Sequence, residues 1–153
     1  MLIALLIVHG LLAVALLGAL THQSLAVIRP SGGNKRTFLD RFRGVNTAAF
    51  TNVIVLLFVI TALGGGLLYP QYRLDVRTTL EDLQLRAANG VFEMKEHFVA
   101  VALGLLPAYA FFWRTPLDPA HAGARRAVTW MLALIVWWSY VVGHVLNNIK
   151  GLP

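Results

Sequence analysis

The sequence predicts an all-α integral membrane protein: a four-transmembrane-helix up-down bundle that forms a single domain over residues 1–153. Three observations lead there. Hydrophobic residues make up 58% of the chain and charged residues 13%, against a charged share of roughly one quarter in soluble domains. Four apolar stretches, at 2–20, 53–69, 98–113 and 128–146, each reach or extend to the ~20 residues that cross a bilayer. The remaining charges gather between those stretches.

The first span is apolar from residue 2 and ends in Thr21-His22-Gln23-Ser24. It lacks the basic n-region of a signal peptide and its apolar core exceeds the usual ~7–15 residues, so an uncleaved span is expected. Arg29-Pro30-Ser31-Gly32-Gly33 then breaks the helix, as proline and paired glycines do.

The connection so opened holds Arg29, Lys35, Arg36, Arg41 and Arg43 against Asp40, and the third connection holds Arg114, Arg125 and Arg126 against Asp118. Opposite them lie Arg73, Arg77, Arg86, Lys95 and Lys150. The positive-inside rule puts the richer side in the cytoplasm. Both termini are then expected outside, on the periplasmic face of a bacterial inner (plasma) membrane. The net charge of +6 belongs to these loops and does not indicate nucleic acid; the partner it implies is the lipid bilayer.

The second connection, 70–90, starts with Tyr69-Pro70-Gln71-Tyr72, aromatics of the kind found at the membrane interface. Thr78-Thr79-Leu80-Glu81 has the spacing of a capping box, which predicts a short interfacial helix to about Arg86 in this outer loop. Asn89-Gly90 then precedes a third span whose first turn is expected to carry Glu93, Lys95 and Glu96. Acids there are favoured by the positive end of the helix dipole. In the third connection Pro116, Pro119 and Gly123 surround His121, a residue expected to be solvated.

Ionisable residues inside a membrane are costly and usually face the bundle interior, so each is a functional candidate. At 1.5 Å per residue, His9, His97 and His144 fall roughly 10, 9 and 7 Å below the outer ends of their spans. They form one layer. In the second span the same depth holds Gly64, Gly65 and Gly66, which let something bulky approach; tight helix packing is the simpler use of such glycines.

Two cofactors suit this layer. Neutral imidazole is a standard axial ligand of haem iron, and the diagonal, parallel spans one and three would place His9 and His97 on the two faces of a b-type haem in the space left by Gly64, Gly65 and Gly66. His144 is then an alternate ligand or a quinone contact, and Glu93 an orienting group. Alternatively His9, His97, His144 and Glu93 form a shell for zinc or non-haem iron, Glu93 and His97 being four apart on one helix face. The inner polar residues Gln23, Asn46, Thr51, Asn52 and Tyr109 around His22 are expected to form an interfacial hydrogen-bonded cluster.

Four spans, histidines near one face and glycines at matching depth resemble small four-helix membrane cytochromes in topology, without a diagnostic motif. The leading expectation is therefore a membrane b-type haem protein that passes electrons near the outer face. The alternatives are a non-haem metal enzyme at the same layer and a non-catalytic accessory or assembly subunit of a larger membrane complex. Cysteine is absent, which excludes disulfides and thiolate metal sites, and no nucleotide-binding loop or nucleophile triad occurs.

Overall fold

The computed structural model describes residues 2–28 and 47–150. The first connection, with Arg29, Lys35, Arg36, Asp40, Arg41, Arg43 and Asn46, lies outside the described residues. Five helices follow in order: α1 Leu2–Ile28, α2 Thr51–Gln71, α3 Arg77–Asp82, α4 Arg86–Phe112 and α5 Ala122–Lys150. Among the described residues there is no strand.

Three helical stretches, Leu2–Ile28, Ala48–Asp82 and Pro119–Asn148, are long and apolar enough to cross a membrane. This is the composition of a membrane protein. The remaining long helix, α4, matches α1 at 27 residues but carries Glu93, Lys95, Glu96 and His97 along its length.

The second connection differs from the sequence expectation. Pro70 does not end the helix; α2 runs through it to Gln71 and continues through a π turn, Tyr72–Val76, into α3. Proline removes one N–H from the ladder, and a π turn absorbs one extra residue without breaking the rod. Here the Arg77 N–H bonds the carbonyl of Tyr72, five residues back. The Thr78 hydroxyl donates back to Leu74 and Asp75 carbonyls, which is mid-helix behaviour. It caps nothing; the short helix predicted to about Arg86 is present as α3, Arg77–Asp82, and joins α2 through the π turn.

The chain reverses instead at Leu83-Gln84-Leu85, with Gln84 at φ 58°. Consequently α4 begins at Arg86, and Asn89-Gly90 lies within it. The dipole explanation for Glu93 and Glu96 fails with this, because the first turn of α4 holds no acid.

The long helices form a ring in which α1 packs against α2 and α5, and α4 packs against α5 and α2. Helices α1 and α4 are therefore diagonal. Between apolar helices in lipid there is little hydrophobic drive, so close packing and interhelical hydrogen bonds hold the bundle. The packed core lies at one end: Leu20 of α1, Ile54 of α2, Leu106 and Tyr109 of α4, and Leu132 of α5 are all fully or nearly fully buried. At the other end, where His9 sits, Tyr72, Leu80, Val142 and Leu146 are buried outside that cluster.

At the packed end the Tyr109 hydroxyl donates to Gln23 Oε1, joining α4 to α1, with buried Ser24 and Thr51 nearby in the same end of the bundle. Trp113 Nε1 donates to Thr129 Oγ1 at 2.9 Å, and Trp137 Nε1 to Thr21 Oγ1 at 3.0 Å. Arg125 donates to the Phe112 carbonyl at the end of α4, where a cation is favoured by the helix dipole.

Candidate ligand cleft at the His9 end

Where the core stops, a cleft of about 660 Å³ opens between the four long helices. Leu16, Phe58 and Val136 close it towards the packed end, and His9, Lys95, Glu96, Tyr140 and His144 line its polar part. Its size falls within the ~300–1,000 Å³ of small-molecule and cofactor sites, which are mostly apolar with a few convergent polar groups.

His9 reaches the cleft from α1 by leaning on α2. A Cβ on Gly64 would lie 3.2 Å from His9 Nδ1, and one on Gly65 would lie 3.4 Å from His9 Cε1, whereas Gly66 faces open space. Two of the three glycines thus make room for the imidazole itself. The sequence expectation had them making room for a larger ring. His9 Nδ1 is buried and lacks a hydrogen-bond partner, an uncommon condition for a polar atom in a folded protein. His144, on α5, stands on the same cleft with its ring parallel to that of Tyr140, the centroids 6.2 Å apart.

His97 is at the level of the cleft but outside it. Its ring is exposed, and its Nδ1 lies 2.7 Å from the Glu93 carbonyl of its own helix. Glu93 shares that outward face and pairs with Arg77 of α3 at 3.3 Å. The reason is rotational. The buried face of α4 is set by Ala102, Leu106 and Tyr109, and stepping back by three and four residues leads to Val99, Lys95 and Phe92. Residue 97 falls well off that line.

Of the three histidines counted into one layer, His9 and His144 line the cleft and His97 does not; Glu93 stands apart with His97. Among the described residues no group of three or more His, Cys, Asp or Glu side chains is placed to hold a metal ion, so the shell of His9, His97, His144 and Glu93 is not assembled. Depth alone missed Lys95 and Glu96, which are inside the cleft. Both share the cleft with His9.

The rim next to α3 is aromatic. Phe92 stacks on Tyr72 with centroids 3.5 Å apart and planes 11° from parallel, and the Tyr72 hydroxyl donates to Asn89 Oδ1 at 2.7 Å. These contacts tie the extended end of α2 to α4 and fix the wall that carries Lys95.

Comparison with protein-family models, curated proteins and solved structures finds no match for this chain.

Proposed function

We propose that the chain is a membrane b-type haem protein, with α1, α2, α4 and α5 all crossing the bilayer, both termini outside, and haem held in the cleft by His9 and His144. The observation that carries this reading is the contrast between the two halves of the bundle. One end holds the buried core cluster; the other opens into the cleft, and two imidazoles from the adjacent helices α1 and α5 stand on its walls.

The residues fit the group. A pair of neutral imidazoles suits a b-type haem iron, bundle cores are a usual setting for such cofactors, and the cleft walls are largely aliphatic and aromatic. The buried Nδ1 of His9 stands against α2, where a hydrogen bond to a backbone carbonyl of that helix or to water would fix the ring, as ligating imidazoles commonly require. Bound haem supplies one-electron transfer between ferric and ferrous states. The protein's part is to exclude water with the apolar walls, to hold both rings, and to set the local charge through Lys95 and Glu96.

This reading replaces His97 by His144 as the second ligand and leaves Glu93 in the α3–α4 hairpin. Four spans are supported by the length of α4 and its packing between α5 and α2. The orientation is supported by the basic residues of the first and third connections, which outnumber those opposite them in the sequence. The test is an absorption spectrum of the purified chain, oxidised and reduced, after expression with ample haem. A Soret band that shifts on reduction is expected; a colourless protein would end the reading.

A further inference from the structure

The inward seam of α4 contains one residue of the wrong kind for a bundle core. Phe92, Lys95, Val99, Ala102, Leu106, Tyr109 and Trp113 recur at alternating steps of three and four residues, the spacing of a helix seam that faces its neighbours. Ala102, Leu106, Tyr109 and Trp113 are buried in the core, and Phe92, Lys95 and Val99 line the cleft. Lys95 is the only charged member.

Its side chain is 15% exposed, with Nζ 2.7 Å from Glu96 Oε1 and 4.3 Å from the centroid of the Phe92 ring. A lysine directed into a bundle at membrane depth is costly unless it is paired, and such residues mark ligand or ion sites. Consecutive residues on a helix point roughly 100° apart, so Lys95 and Glu96 meet only because both side chains bend into the cleft. Among the described residues Glu96 is the only ion-pair partner of Lys95. The other acid on the cleft, Asp75, accepts from Gln71. Glu96 is the more exposed member, at 34%.

We infer that Lys95 anchors an acidic group of the cleft's ligand, exchanging the Glu96 carboxylate for a carboxylate of the ligand. The inference rests on the haem reading and specifies it: Lys95 on α4 would hold a propionate of the porphyrin. Lys95 is then a specificity-determining residue, and Glu96 a resident counter-ion that competes with the ligand.

The experiment compares haem with haem dimethyl ester, which keeps the iron and the ring and lacks the charges. Full-length protein purified without haem is titrated with each and followed by Soret absorbance. The wild type is expected to bind haem about tenfold or more tightly than the ester, the usual strength of a charge-assisted hydrogen bond in fold terms. Lys95→Gln should lose that preference while keeping the wild-type affinity for the ester, which also shows that it is folded. Glu96→Gln should widen the preference. Equal binding of both porphyrins by the wild type, or an unchanged preference in Lys95→Gln, overturns the anchor and leaves the haem reading standing. If the wild type binds neither porphyrin, the haem reading fails and the anchor fails with it.

Discussion

His9 Nδ1 on α1 stands 3.2 Å from the point that a Cβ on Gly64 of α2 would occupy. The imidazole and the glycine are therefore fitted to each other, and a methyl group at residue 64 requires the ring to move by a few tenths of an ångström. Overfilling a packed contact costs about 1–3 kcal/mol. Gly64→Ala is expected to weaken haem retention about tenfold, measured by haem transfer to an apo-globin acceptor. Gly66→Ala, which meets open space, should leave retention as in the wild type. Equal losses in both variants would mean that glycine acts here through the helix backbone and not through His9.

The bond between Tyr109 and Gln23 joins α4 to α1 at the packed end, where both side chains are fully buried. Tyr109→Phe removes the donor and withdraws it from a buried amide oxygen, a loss of about 1–3 kcal/mol. For a chain of this size that lowers Tm by roughly 3–10 °C, readable by thermal unfolding in detergent. The haem spectrum should be unchanged, since the cleft is at the other end. An unaltered Tm would show that the bond contributes nothing to stability.

Gln84 is the only described non-glycine residue with positive φ, at 58°, and it makes the reversal between α3 and α4. A left-handed conformation costs an ordinary residue roughly 1–2 kcal/mol and glycine almost nothing. Gln84→Gly is therefore expected to keep or raise Tm, even though it gives up the side-chain bond to the Glu81 carbonyl. A β-branched Gln84→Val should lower Tm. If the glycine variant is the less stable of the two, the reversal is held by the glutamine side chain and not by its backbone.

The fold was legible in the sequence to the extent that it depends on apolar length: each long helix overlaps one apolar stretch, and α4 begins well before its own. The connections were less legible. Pro70, Thr78, Glu81, Asn89 and Gly90 carry local stop and start signals, yet all five lie inside helices, and the chain reverses at Gln84; a π turn follows Pro70, and Tyr72 within it packs on Phe92. In the site, counting residues put His9, His97 and His144 at one level, and His9 and His144 line the cleft. The side of the helix did not follow from the count. His97 has the right depth and the wrong direction, and only the seam through Tyr109, Leu106 and Ala102, extended back to Lys95, distinguishes the two.

The choice between His144 and His97 as the second iron ligand separates this structural reading from one based on depth alone. The measurement is the electron paramagnetic resonance spectrum of the oxidised, haem-loaded protein and its single variants. The wild type is expected to give a low-spin signal of two axial imidazoles. His97→Ala should retain that signal, whereas His9→Ala and His144→Ala should convert it to high spin or lose haem altogether. A low-spin signal that survives in His144→Ala and vanishes in His97→Ala would contradict the proposed site.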